Sequence, residues 1–221
     1  MKKQIIIISS LILMSIFQQV PAQEVKRLRI KYPTPMYVGT PKDLKVERLE
    51  KDEEISTPYL LVPEGTVNLA FEKGVICSDP YPILGEPELI TDGDKEAMDA
   101  SYIELDVEPQ HITIDLEEKC TIFAIAFWHF HKKARVYHDV VLQVADDPEF
   151  IVNVTTFFNN DHDNSLGLGA GDDPHYIETN KGRLIDARGI IGQYVRLYSG
   201  GNTDNNMNHY IEVEVHGKPL N

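Results

Sequence analysis

The sequence predicts an all-β fold, a sandwich or barrel of short strands that follows an extended N-terminal arm. From Val67 onward, short apolar runs alternate with loops rich in Asn, Asp, Gly and Pro, as in proteins built from strands and turns. The segments 140–145 and 211–216 have the two-residue side-chain alternation of strands. No segment carries a long helical periodicity, so the pattern favours an all-β architecture.

Residues 1–22 have the pattern of a secretory signal peptide. Lys2 and Lys3 make the start positive, an apolar run extends from Ile5 to Phe17, and Val20-Pro21-Ala22 places small residues before a cleavage site. The run is too short for a typical membrane-spanning helix. We therefore expect export to the periplasm, the cell surface or the medium, with no membrane span in the mature form. An uncleaved N-terminal anchor is the alternative.

Residues 23–66 predict a Pro-rich extended arm or linker. Prolines recur along it, and residues 45–54 are mostly charged, with little apolar periodicity. One strand is expected at Met36-Tyr37-Val38. The sequence leaves open whether the arm packs on the following domain or links it to a surface.

The charge and the cysteines restrict the partners and the compartment. The formal net charge is −14 at pH 7, which argues against nucleic acid or an anionic membrane surface as partner. A neutral ligand, a cation or a basic partner fits that surface. In an exported protein, Cys77 and Cys120 are candidates for a disulfide, and two buried free thiols are the alternative.

Strands and one long loop are expected within the domain. The predicted strands are 111–116, 121–130, 140–145, 194–198 and 210–216. The connection Asn159 to Gly189 is rich in turn residues, and loops of this length in compact domains commonly carry function. Trp128 lies in a long apolar strand, so we expect it to pack in the core.

Six strings occur in a recognisable order along residues 67–218. They are Val67-Asn68-Leu69-Ala70, Ile90-Thr91-Asp92-Gly93-Asp94, His111-Ile112-Thr113-Ile114-Asp115-Leu116, Leu142-Gln143-Val144-Ala145-Asp146-Asp147, Tyr194-Val195-Arg196-Leu197-Tyr198 and Ile211-Glu212-Val213-Glu214-Val215-His216-Gly217. Taken in this order, the strings resemble those of the discoidin family, also called coagulation factor 5/8 type C domains. The fold is shared by family 32 carbohydrate-binding modules.

The resemblance implies a jelly-roll β-sandwich of the galactose-binding-domain type, with a ligand site on loops at one end. It also implies a structural calcium held by Asp92, Asp94 and Glu212, because carboxylates and turn carbonyls are the ligands that calcium prefers. The chain departs from the pattern at Ala97, where many relatives have Thr. The alternative for Asp92-Gly93 is a turn in which the aspartate caps its own backbone.

Sugar binding requires a flat apolar platform and a few polar groups that contact hydroxyls. Two loop-to-strand junctions supply candidates: Tyr137 with His138, and Asn208 with His209. Asn205 lies in the loop just before the second junction. The long loop adds further polar candidates. The predicted ligand-binding residues are Tyr137, His138, Asp161, His162, Asp163, Asn205, Asn208 and His209.

These features indicate an exported, non-catalytic module that binds a glycan or cell-surface polymer. One alternative is a structural or adhesion protein that docks another envelope protein. Another is a metal-dependent hydrolase that uses His129, His131 and His138 with Asp161, His162 and Asp163. No Gly-x-Ser-x-Gly nucleophile motif, phosphate-binding glycine loop or His-Glu-x-x-His zinc motif occurs in the sequence, which favours the binding module.

Overall fold

The computed structural model describes residues 24–37, 44–51 and 59–220. The expected signal peptide, residues 1–22, lies outside the described residues. Of the strand expected in the arm, Met36 and Tyr37 form a bend, and Val38 lies outside the described residues. The domain boundary after residue 66 stays a prediction.

The prediction of an all-β fold is confirmed. The described residues form ten strands and a short 3-10 helix at Pro87–Ile90. The strands are β1 (Val25–Arg27), β2 (Leu61–Pro63), β3 (Val67–Asn68), β4 (Val75–Cys77), β5 (Ile103–Leu105), β6 (Gln110–His129), β7 (Val141–Ala145), β8 (Thr155–Asn159), β9 (Arg183–Ser199) and β10 (Asn208–Pro219). The five predicted strands overlap β6, β7, β9 and β10 with ends that agree to within one residue or fall inside the longer observed strand, and β6 joins the first two of them.

One antiparallel sheet of eight strands organises the domain. Its order is β3-β10-β6-β9-β7-β8, with β4 added to β6 and β5 added to β10. The register between β6 and β9 shifts between Asp115 and Cys120, and again between Ile122 and Ala124. Such irregularities bend the strands that carry them, so the two halves of β6 enter opposite layers of a sandwich.

The main core lies between those layers. Ile114 and Phe127, from the two halves of β6, are both fully buried in it together with Leu142 of β7 and Val213 of β10. A smaller cluster around Trp128 lies on the other face of β6. Trp128 is fully buried, as expected, and its Nε1–H donates to the carbonyl oxygen of Asn180 at 3.0 Å.

The long loop is shorter than the turn residues predict. It covers residues 160–182, and Arg183–Gly189 belongs to β9, where Arg183 pairs with Phe127 and Asp186 pairs with Ala124. Arg188 and Gly189 have φ values of 55° and 74° beside the shift between Ile122 and Ala124. Pairing with β6 therefore overrides weak strand propensity, and the turn residues form a bulge.

The two cysteines are free thiols. Cys77 pairs with Ile112 at the start of β6, whereas Cys120 lies after the irregular segment of the same strand. Strand residues advance by about 3.3 Å each, so the separation is far beyond the roughly 7 Å between Cα atoms that a disulfide allows. Of the two alternatives left open by the sequence, the structure has the unpaired thiols.

The described parts of the arm lie on the domain. β1 pairs with β2 in a two-stranded sheet, and Leu49 makes a parallel bridge with His175 of the long loop. Glu50 accepts from Arg183 at 2.7 Å, and the Asn180 amide donates to the Pro33 carbonyl at 2.8 Å. Within the described ranges, no helix has the length and apolar character needed to cross a membrane.

Candidate functional site

Five connections meet at one end of the sandwich, which we call the loop end. They are residues 78–86, 106–109, 130–140, 160–182 and 200–207. Tyr137 bridges to Asn202, the His138 amide donates to the Gly201 carbonyl at 3.0 Å, and the Asn160 amide donates to the Val140 carbonyl at 3.0 Å. All three segments that supply the predicted ligand-binding residues are therefore brought together.

Asn208 fastens the loop end from inside. Its Oδ1 accepts from the Ser199 hydroxyl at 2.7 Å and from the Gly201 amide at 2.8 Å. Its Nδ2 donates to the carbonyls of Asp106 and Glu108, both at 2.9 Å. The side chain is fully buried and all of its hydrogen-bonding capacity is engaged, so the expected ligand contact is replaced by a structural role.

Tyr137 and His209 also lie inside the loop end. The Tyr137 hydroxyl donates to His209 Nδ1 at 2.9 Å, and His209 Nε2 donates to Glu104 Oε2 at 2.9 Å. Burial first, and then the nearby Arg135, lowers the pKa of His209 to about 3, so its ring is neutral. Tyr137 is only 2% exposed. The expected sugar platform at Tyr137 is therefore corrected: this ring packs in the core.

The long loop is organised by Asp161. This buried carboxylate accepts from the backbone amides of Ser165 and Leu166, at 2.9 and 3.0 Å. His162 Nε2 donates to the Asp173 carbonyl at 2.8 Å. His175 packs between His162 and His138, with ring centroids 4.8 and 5.6 Å away. Asp161 thus shapes the loop, while His138 and His162 are half-buried at its surface.

One group of three carboxylates in the described ranges places a ligand atom of each within 4.8 Å of the others: Asp139, Asp161 and Asp163. Burial first, and then the charge of Asp161, raises the pKa of Asp139. The backbone amide of Ser165 lowers the pKa of the exposed Asp163. In the absence of a cation, ionisation of Asp139 therefore costs more free energy in the folded protein than in the unfolded chain.

Replacing Asp139 by Asn is expected to stabilise the chelated protein at pH 7 by about 1 kcal/mol, or about 2–4 °C in Tm. The change removes a charge beside two others, and Asn tolerates the φ of 51° found there. Thermal unfolding in a chelator measures the effect, with the exposed Asp172→Asn in the long loop as control. A fall in Tm contradicts this expectation.

The histidines of the zinc hypothesis do not form one site. β6 ends at His129, so the alternation of a strand no longer places His131 on the same face. The ring of His129 stacks on Tyr137, with centroids 4.3 Å apart, while His131 Nε2 donates to the Lys95 carbonyl at 3.0 Å. In the described ranges, no group of three potential ligands includes either histidine.

The residues expected to hold calcium lie over the outer face of β10. The Gly93 amide donates to Glu212 Oε2 at 3.1 Å, and Asp92 and Asp94 form turns that cap their own backbone. Glu212 is fully buried, its Oε1 has no hydrogen-bond partner, and burial raises its pKa to about 9. The unpaired buried oxygen fits a cation ligand, although the three carboxylates do not converge within 4.8 Å.

The exposed side chains of the loop end are those that can meet a ligand. Asn205 and Asp163 are exposed. Sequence reasoning missed Tyr81, whose side chain is 85% exposed in the first of the five connections. Its backbone amide donates to Asp79 Oδ1 at 2.9 Å, and Asp79 Oδ2 accepts from the Asp106 amide of the neighbouring turn. The only available signal was its place in the turn-rich string Asp79-Pro80-Tyr81-Pro82.

No family model matches the sequence, and no curated protein matches it. Among solved structures, truncated AlyQ with CBM32 and alginate lyase domains aligns with a TM-score of 0.50 and 18% identity, over 71% of this chain and 35% of that one. The CBM32 of AlyQ, in complex with 4,5-unsaturated mannuronic acid, gives 0.48 and 18%, over 66% and 95%. A CBM32 produced by Clostridium perfringens gives 0.48 and 21%, over 67% and 98%.

These likenesses concern the fold alone. The chain has the galactose-binding-like β-sandwich of family 32 carbohydrate-binding modules, which is the discoidin-type fold that the sequence resemblance implies.

Proposed function

We propose that this protein is an exported, non-catalytic module that binds carbohydrate through the loop end. The fold it shares with a CBM32-containing protein supports this proposal, as does the signal-peptide pattern of residues 1–22. The loop end is held from inside by Asn208 and by the Tyr137–His209 pair, which leaves a preorganised rim for exposed groups. Preorganisation reduces the entropy lost on binding.

The observation that carries the proposal is Tyr81. A tyrosine that is 85% exposed gains from covering its ring with the apolar face of a sugar, while its hydroxyl stays available for a hydrogen bond. The side chains of Asn205 and Asp163, also exposed on the loop end, supply polar groups for hydroxyls. His209 and Tyr137 are buried and hydrogen-bonded to each other, so neither side chain is presented to a ligand as a catalytic group. This supports binding without catalysis.

Replacing Tyr81 by Ala is expected to weaken glycan binding about tenfold or more, since exposed tyrosines in binding sites often dominate the energy. A broad glycan array in the presence of calcium identifies a ligand, and calorimetry then compares native protein with the variant. Ile191→Ala, which truncates an exposed apolar side chain of β9 away from the loop end, is the control. Binding that is unchanged in Tyr81→Ala, or no glycan bound at all, argues against the proposal.

The proposal includes a structural calcium at Glu212, with Asp92 and Asp94. The unpaired Oε1 of Glu212 is the observation that supports it. When bound, the ion neutralises a buried carboxylate and ties the segment around Gly93 to β10.

A second candidate is docking of an envelope protein, favoured by the turn between β7 and β8. Ile151 and Val152 at its tip are 78% and 50% exposed, and Val154 follows. Exposed neighbouring apolar side chains are typical of protein contacts. Cross-linking of a partner protein to this tip would favour docking over sugar binding if the cross-link is lost in Ile151→Asp and persists in an excess of glycan.

A further inference from the structure

A basic cleft lies between the arm and the sandwich, away from the loop end. Its volume is about 510 Å³, within the range of sites for small ligands. We call it the arm cleft. Its polar lining consists of Lys26, Arg27, Arg29, Thr66, Asn68 and His216.

The charge of this region is opposite to that of the chain. Residues 24–37 contain four basic residues and one acid, Glu24, and so carry a net charge of +3, whereas the whole chain carries −14. A further basic side chain comes from β10: Lys218 lies within 4 Å of the position that a Cβ on Gly65, next to Thr66 of the cleft, would take. Lys26, Arg27 and Arg29 line the arm cleft, and the nearby carboxylates Glu64 and Glu214 are each paired with a basic side chain.

Much of that charge is available to a ligand. Arg29 is exposed and forms no ion pair within the described ranges. The Arg27 guanidinium lies 5.0 Å from the ring centre of Tyr59, a contact that leaves its N–H groups free to donate. Lys26 pairs with Glu64 at 3.3 Å, but both partners are well exposed, and such pairs contribute little. Lys26 can therefore leave Glu64 and pair with an anionic ligand at little cost in free energy.

Neutral polar groups complete the cleft. Asn68 Oδ1 accepts from the amides of Ala70 and Val215 at 3.1 and 3.0 Å, which fixes the carboxamide and leaves its Nδ2 as a donor. The Thr66 hydroxyl donates to the Pro63 carbonyl at 2.7 Å, so its oxygen remains an acceptor. Leu28 and Val67 add apolar lining. Donors, acceptors and apolar surface in one cleft match the mixed surface of a sugar ring.

We infer that the arm cleft is a second binding site, which takes an anionic saccharide that carries carboxylate or sulfate groups. The guanidinium of Arg29 presents a fork of N–H groups that fits such an anion in bidentate geometry. Asn68 and Thr66 contact hydroxyls. This site is separate from the loop end, so the chain would hold two glycan segments or an acidic and a neutral region of one polymer.

The charge distribution favours a saccharide over nucleic acid or an anionic membrane. An extended polyanion also comes close to acidic parts of the surface outside the cleft, where a chain with a net charge of −14 repels it. A short oligosaccharide inside the cleft contacts the local cations alone, because charges beyond about 8–10 Å are screened at physiological salt.

The test uses the mature protein and two probes that differ only in charge. They are a uronic-acid trisaccharide and its carboxyl-reduced, neutral counterpart, measured by calorimetry at low and high salt. The acidic probe is expected to bind, with an affinity that falls as salt rises, and the neutral probe to bind at least tenfold more weakly. Arg29→Glu is expected to reduce the affinity for the acidic probe by about tenfold to a hundredfold.

Lys45→Glu is the matched control, since it makes the same charge change at another exposed position of the arm. It is expected to leave the affinity unchanged, and Tyr81→Ala is expected to do the same, which separates this site from the loop end. Equal loss in Lys45→Glu overturns the inference, as does no binding of the acidic probe. Binding of anionic phospholipid vesicles or of a DNA oligonucleotide in its place overturns it as well.

Discussion

Asn208→Ala is expected to lower the free energy of unfolding by about 3 kcal/mol, because it removes four hydrogen bonds at one buried position. The Gly201 amide is left buried without its acceptor, while the carbonyls of Asp106 and Glu108 lie nearer to solvent. Urea unfolding followed by fluorescence measures the loss. The exposed neighbour Asn206→Ala is expected to change stability by less than about 0.5 kcal/mol.

The result separates two roles of Asn208. A residue that contacts ligand directly would, on replacement, weaken glycan binding at nearly constant stability. A residue that fastens the loop end loses stability first, and hydrogen exchange at Gly201 becomes faster because its amide is released. A loss of stability below about 1 kcal/mol would mean that water replaces the carboxamide, and the structural role would be refuted.

Calcium is expected to raise the Tm of the chelated protein by about 5–10 °C at a concentration near a hundred times its Kd, since such binding contributes about 2.7 kcal/mol. The ion would pair with the buried Glu212, whose Oε1 has no partner. Glu212→Gln keeps the shape and the acceptor for the Gly93 amide but removes the charge. We therefore expect the variant to equal the native protein in the chelator and to lose the response to calcium.

Two controls make this measurement specific. Magnesium at the same concentration is expected to have little effect, because it demands a more rigid octahedral set of ligands. Glu118→Gln, an exposed position on the edge of the irregular segment of β6, should retain the full response. A calcium response that persists in Glu212→Gln would place the ion elsewhere.

The positions of the long strands along the chain could be predicted because alternating patterns survive in the half-buried strands. β7 shows the limit of that reasoning. Its side-chain alternation predicts a strand with one buried face, but all five of its residues are buried, so both faces of the strand are covered. β4 and β5 were missed, since three-residue edge strands carry too little pattern. Arg183–Gly189 was taken for loop because its pairing partner, β6, is distant in sequence.

The candidate site was predictable by location and less so by residue. The structure brings the segments of His138 and Asn205 and the long loop to one end of the sandwich, and their contact with a ligand stays a prediction. Whether a side chain at a junction points outward depends on packing, and Tyr137 and His209 point inward because each satisfies the other. Tyr81 was overlooked since exposure is a tertiary property that a single sequence does not display.

The pairing of β6 has a consequence for how the chain reaches this structure. Gln110 at its start pairs with Ser199, and Cys120 near its middle pairs with Pro219, so apart from the short β4 its hydrogen-bonding partners come from much later segments. Such non-local pairing slows folding, because large loops must close before contacts stabilise them. Until β9 and β10 pair with it, β6 exposes unpaired backbone N–H and C=O groups together with its apolar side chains, so the refolding yield should fall as the protein concentration rises.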